Sequence, residues 1–116
     1  MKVTDNIVTY NQKESLDYAF KVLDSDLSVF LDDYDKNGKD VIKLLGNMAA
    51  SVNFHLGCLN NETPCYNHDD PKEPNRRIVF DVDYATIQHY MGLAWNKIVR
   101  KMKEHGIPYK MRKVPG

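Results

Sequence analysis

Between positions 16 and 31 the apolar residues Leu16, Phe20, Leu23, Leu27, Phe30 and Leu31 recur at intervals of three and four, with Asp, Lys and Ser between them. That period places them on one stripe of an α-helix. Asn11 followed by Glu14 is a capping-box start, so the helix is predicted to begin just after Asn11. Asp35, Lys36, Asn37 and Gly38 end it, because Asn and Gly tolerate left-handed backbone angles. A second helix is predicted from about Lys39, with Val41, Leu45, Met48, Ala49, Val52 and Leu56 on its apolar stripe. Ahead of both, residues 3–10 carry Val3, Ile7, Val8 and Tyr10 and read as a short strand with imperfect alternation. Residues 57–76, rich in Gly, Asn, Asp and Pro, sustain neither period and are predicted to form a long loop. Residues 77–82 (RIVFDV) read as a strand, Asp83 as an N-cap, and residues 84–105 as helix up to Gly106.

These elements predict a helix-rich α+β fold: a single domain over residues 1–116, with three main helices and a small antiparallel sheet. The sheet is expected from the N-terminal strand, RIVFDV and the segment 107–114. A chain of 116 residues has room for one domain with its own core. Its 42% hydrophobic and 28% charged residues are ordinary for a globular protein. No stretch approaches the ~20 apolar residues of a spanning helix, and the first residues lack a signal peptide's apolar core. A cytoplasmic protein with no membrane partner is therefore expected. In that compartment Cys58 and Cys65 are expected to be reduced or metal-bound, although the loop between them is short enough for a disulfide in an oxidising one.

Charge changes the picture. Residues 1–83 hold nine Lys/Arg against fifteen Asp/Glu, a net −6, whereas residues 84–116 hold seven against one, a net +6. The neutral total conceals an acidic helical part and a basic C-terminal part, and the basic end points toward a polyanion.

Within the basic part, DYATIQHYMGLAWNKIVRKMKEHGIPYKMRK resembles the bipartite helix-turn-helix of DNA-binding proteins over residues 84–108. Ile87 and Met91 fit the core of the first helix, Gly92 and Leu93 the turn, and Ile98 and Met102 the buried side of the second. Gly106, Ile107 and Pro108 followed by basic residues resemble the close of recognition helices in small phage and mobile-element proteins. The resemblance implies that Trp95, Asn96, Lys97, Arg100, Lys101 and Lys103 project from a recognition helix and that Lys110, Arg112 and Lys113 form a basic arm. Asn96 and Arg100 would read base edges, and the lysines would meet phosphates. Ala94 stands where a Ser or Thr normally caps the second helix. The same residues also fit one uninterrupted amphipathic helix, with Tyr84, Ile87, Met91, Ala94, Ile98 and Met102 along its stripe.

His55, Cys58, Cys65 and His68 form HxxC and CxxH pairs six residues apart, a ligand set that suits one structural zinc in tetrahedral geometry. The plainer reading is a buried Cys58 at a helix end with Cys65 and His68 in solvent. Asp69 and Asp70 would extend the cluster toward a catalytic metal site. DYDKNGKD (residues 33–40) matches the opening of a calcium loop, but Leu44 stands where the bidentate Glu belongs. Asp17, Asp24, Asp26, Asp32, Asp33, Asp35 and Asp40 crowd the first helix and its turn, a face that solubilises or steers a basic protein partner. The leading expectation is a small DNA-binding protein, regulatory and not an enzyme, acting through its basic C-terminal helix and arm. Its acidic part would serve a protein partner or homo-oligomer. The alternatives are a protein-binding inhibitor or accessory factor using the acidic surface, and then a metal-dependent enzyme.

Overall fold

A computed structural model of the chain describes residues 1–4, 6–66, 71, 72 and 75–107. Among them are three helices, α1 (Gln12–Lys36), α2 (Val41–Leu59) and α3 (Tyr84–Glu104), and four short strands, β1 (Lys2–Thr4), β2 (Ile7–Tyr10), β3 (Cys65–Tyr66) and β4 (Arg77–Phe80). The protein is a helix-rich α+β domain.

Helix α1 starts as its sequence predicts. The Asn11 side chain accepts from the Glu14 N–H at 2.9 Å, and the Glu14 carboxylate accepts from the Asn11 N–H at 3.2 Å. Ala19, Leu23, Leu27 and Leu31 are buried along the helix, while Leu16, Phe20 and Phe30 are half-buried at the edges of that stripe. The reversal after Lys36 needs positive φ at Gly38 (92°) and Lys39 (54°), and Asp40 then caps α2 through the Lys43 N–H. Helix α2 therefore returns antiparallel along α1, with Ser51 opposite Asp26 and Lys43 opposite Asp33. Its buried set is Leu44, Met48, Ser51, Val52, His55, Cys58 and Leu59. Relative to the predicted stripe the inward face is rotated, because Ser51 and His55 have polar partners in the interior.

The sheet order is β1-β2-β4-β3, and the sheet is mixed rather than antiparallel. The predicted strand over residues 3–10 is a hairpin of β1 and β2, but β2 and β4 run parallel. Parallel neighbours require a long crossover, which α1 and α2 supply. The backbone of β4 extends the ladder at both ends, with Arg77 N–H on Asn6 O at 2.8 Å and Asp81 N–H on Tyr10 O at 2.9 Å. Val8 lies beside Ile78, and Tyr10 beside Phe80. Val8, Ile78 and Phe80 are buried, and Tyr10, Tyr18 and Phe80 form a ring cluster with centroids 5.7–5.9 Å apart.

The other edge of β4 is occupied by β3, within the span predicted as loop, and by one side chain. Asn61 donates from Nδ2 to Phe80 O at 2.9 Å and accepts from Phe80 N–H at 3.0 Å, so a single amide imitates a paired strand residue. Its own φ is +58°, a conformation Asn tolerates better than most residues. The segment 107–114 was expected as the third strand; all of it except Ile107 lies outside the described residues.

Helix α3 runs unbroken through Gly92 and Leu93, so the turn that the helix-turn-helix resemblance places there does not form. The uninterrupted helix is the arrangement observed. Ala94 is fully buried and provides no cap, and the only capping Asp, Asp83, is at the start of the helix, where Thr86 N–H donates to it at 2.8 Å. The buried stripe is Ile87, Tyr90, Ala94, Ile98 and Met102; Tyr84 and Met91, predicted inward, are exposed. The helix closes through Gly106 (φ 74°), with Ile107 N–H on Met102 O at 2.9 Å and the Ile107 side chain buried.

Replacing Asn61 by Ala removes both bonds to Phe80 and strains the positive φ, and is expected to cost about 1–2 kcal/mol in urea unfolding. Asn61→Gly, which restores the backbone freedom but not the bonds, should fall between wild type and Ala; an Ala variant as stable as wild type would contradict this role.

Candidate functional site

Helix α3 presents two faces to two environments. Its inner stripe packs against α1 and α2, whereas Asn96, Arg100 and Lys103 are all exposed. Their spacing of four and three residues sets these side chains along a single outer line. Leu93, Asn96, Lys97 and Arg100 together with Phe20 of α1 line an open depression of about 400 Å³. Trp95 is exposed on a different side of the helix, and Lys101 is half-buried.

The cations nearest α1 are engaged within the protein. Lys97 Nζ lies 2.8 Å from Asp24 Oδ1 and 5.2 Å from the centre of the Phe20 ring. At the far end, His105 Nε2 lies 2.8 Å from Asp35 Oδ1 and its ring meets Tyr34 edge-on. Near the start, Thr86 Oγ1 donates to Gln12 Oε1 at 2.6 Å, and the Phe20 and Tyr90 rings sit 5.0 Å apart. Contact positions rise together along both helices, so α1 and α3 are parallel and share a seam with acid on one side and base on the other. Of the residues predicted to meet nucleic acid, the structure thus leaves Asn96, Arg100 and Lys103 outward and ties Lys97 to Asp24. Lys110, Arg112 and Lys113 lie outside the described residues.

Apart from the exposed Asp17, the aspartates of the predicted acidic face have separate partners within the protein. Asp26 accepts from Ser51 Oγ at 2.8 Å, Asp32 pairs with Lys36 at 3.0 Å, Asp33 accepts from Asn37 and pairs with Lys43 at 3.4 Å, and Asp40 caps α2. Within the calcium-loop match Asp33 and Asn37 bond each other, while Asp35 is directed to His105. Hydrogen bonds hold the carboxyls of Asp33, from Asn37, and Asp83, from Thr86, below the usual carboxylate range.

His55, Cys58 and Cys65 line one small cavity of about 30 Å³ with Tyr18, Val22 and Phe54. The neighbouring Cys65 thiol and burial push the Cys58 thiol up, and Tyr18 Oη is 3.5 Å from Cys65 Sγ. The His55 nitrogens, however, are directed elsewhere: Nδ1 lies 3.2 Å from Tyr90 Oη and Nε2 lies 3.7 Å from Asp26 Oδ2. Among the described residues no three His, Cys, Asp or Glu side chains come together in a way that would hold a metal ion. The fourth expected ligand, His68, and the neighbouring Asp69 and Asp70 lie outside the described residues.

Sequence reasoning missed Tyr90 as the partner of His55. Its signal was present, since Tyr90 lies three residues after Ile87 and four before Ala94 on the helical period. No protein-family model, curated protein or solved structure matches this chain. No helix among the described residues is long and apolar enough to cross a membrane.

The buried network generates a pH dependence. Burial holds the His55 imidazole below its ordinary value of 6.5, with the Asp26 carboxylate partly opposing, and burial pushes the Tyr90 phenol up. The folded protein keeps His55 neutral where the unfolded chain takes up a proton, so stability is full above about pH 6.5 and falls as pH drops below it. Chemical unfolding between pH 7 and pH 5 should show this decline, with a slope of at most about 1.4 kcal/mol per pH unit from this group, and His55→Gln should flatten it. Tyr90→Phe, which strips His55 Nδ1 of its partner, is expected to cost about 1–3 kcal/mol at pH 7. A wild-type profile that is level through this range would contradict the assignment.

Proposed function

We propose that the protein binds nucleic acid, with duplex DNA as the leading target, through the outer face of α3. The observation that carries this reading is the alignment of Asn96, Arg100 and Lys103 on one exposed line of a helix whose opposite face is fixed in the core. Arg and Asn have the donor and acceptor geometry to reach base edges, and Lys supplies a phosphate contact. A helix of 21 residues is long enough to lie along a groove, about 31 Å at 1.5 Å per residue. Asp24 beside this face is already paired with Lys97, which reduces its repulsion of a phosphate backbone. The sequence adds Lys110, Arg112 and Lys113 beyond the helix, in keeping with a cationic end.

A protein partner on the same helix is the second reading. Met91, Leu93 and Trp95 are each exposed, and exposed Met, Trp and Arg on one element are the residue types enriched in protein interfaces. This differs from the acidic surface expected of an accessory factor, since most of those aspartates are occupied internally.

Binding of a short DNA duplex, followed by anisotropy across a salt series, separates the readings. Affinity should fall steeply with salt, and Arg100→Ala and Lys103→Ala should each lower the slope of log K against log salt by about 1. Absence of binding at low salt, or an unchanged slope in the double variant, would count against the nucleic-acid reading and favour a protein partner.

A further inference from the structure

Cys58 closes the last turn of α2, and Cys65 opens β3 on the sheet edge, in register with Ile78. The segment between them is held without any covalent link. Asn61 N–H donates to Cys58 O at 2.9 Å, Glu62 and Thr63 N–H groups both donate to Gly57 O at 2.9 and 3.1 Å, and the Asn61 side chain fastens the turn to Phe80. A Cβ at position 57 would lie 2.7 Å from Thr63 Oγ1, so the turn packs directly on the helix end at a glycine. The result is two cysteines, one at the helix end and one on the sheet edge, lining the same cavity of about 30 Å³. They are unequal in access: Cys58 is 5% exposed, whereas Cys65 is only half-buried.

We propose that Cys58 and Cys65 form a reversible intramolecular disulfide by exchange with a small disulfide such as oxidised glutathione, and that Cys65 is the sulfur that attacks it first. In the first step the Cys65 sulfur bonds to one sulfur of the small disulfide, whose S–S bond breaks, and the departing thiolate takes the proton that Cys65 gives up. In the second, the Cys58 sulfur attacks Cys65, the mixed S–S bond breaks, and the second small thiol leaves with the Cys58 proton. The protein dithiol is oxidised by two electrons, and one small disulfide is reduced to two thiols. The turn brings both cysteines to one cavity, so the second step is intramolecular. The bridge would clasp the sheet edge to the helix end by closing an eight-residue loop, from Cys58 to Cys65.

The test uses the full chain equilibrated in glutathione buffers of increasing oxidised fraction, quenched by alkylation and read by intact mass and thermal melting. The expected result is a monomer that loses both alkylatable thiols together, regains them in reduced glutathione, and melts on the order of 5–10 °C higher when oxidised. Cys58→Ala should accumulate a single glutathione adduct on Cys65, and Cys65→Ser should stay unmodified because the remaining sulfur is buried. Two thiols that persist in oxidised glutathione, a wild-type mixed adduct that never resolves, or a disulfide found only between two chains would each overturn the proposal. The wild-type titration decides the matter even where a variant does not fold.

Discussion

The hydrogen bond between His55 and Tyr90 is the interaction around which the helices are arranged. Tyr90 is completely buried, and His55 nearly so, among Leu23, Leu27, Met48, Val52, Ala94 and Ile98. A phenol and an imidazole in such surroundings must satisfy each other, because an unmade bond there costs more than a made one contributes. Asp26, which accepts from Ser51 and sits near His55, brings α1 into the same chain of polar groups. One network therefore spans α1, α2 and α3, and fixes how each is rotated about its own axis. Apolar burial alone would tolerate several rotations of an amphipathic helix; the polar partners select one.

That rotation determines which residues of α3 remain for a partner. With Tyr90 inward, Lys97 turns toward α1 and meets Asp24, while Asn96, Arg100 and Lys103 turn away. The difference in charge between the two parts of the chain is thus divided. Part of it is used along the α1–α3 seam, where parallel helices bring like macrodipole ends together and the Asp24–Lys97 pair offsets that disadvantage. The remainder is displayed outward. A total charge of zero is therefore compatible with a locally cationic face.

Much of the fold was legible in the residues because the signals are local. The Asn11–Glu14 capping box, the three-and-four spacing of Leu23, Leu27 and Leu31, and the Asn37–Gly38 stop each act within a few positions, and α1 begins and ends where they indicate. The parallel pairing of β2 with β4 was not legible, since it depends on where two intervening helices deliver the chain. Neither was the tiny strand β3, which exists because β4 has an edge to cover and Asn61 covers the rest. On α3 the periodicity fitted one helix or two, and the decision rested on tertiary packing of Ala94. The same packing moved Tyr84 and Met91 outward and Tyr90 inward. At the Cys and His residues, spacing suggested four ligands around one ion. Instead the fold set Cys58 and Cys65 on one cavity and gave His55 to Tyr90, 35 positions away; the helical period marks Tyr90 as inward but cannot name its partner.

The proposed function rests on a division of α3 into an inner face that builds the core and an outer face left free to meet a polyanion. Backbone amide shifts of the full chain, followed by NMR as a short DNA duplex is added at low salt, test that division residue by residue. Perturbations should concentrate at Asn96, Arg100 and Lys103 and leave the strands β1 and β2 unchanged. Shifts confined to the acidic stretch of α1, or no shifts at any DNA concentration, would contradict it.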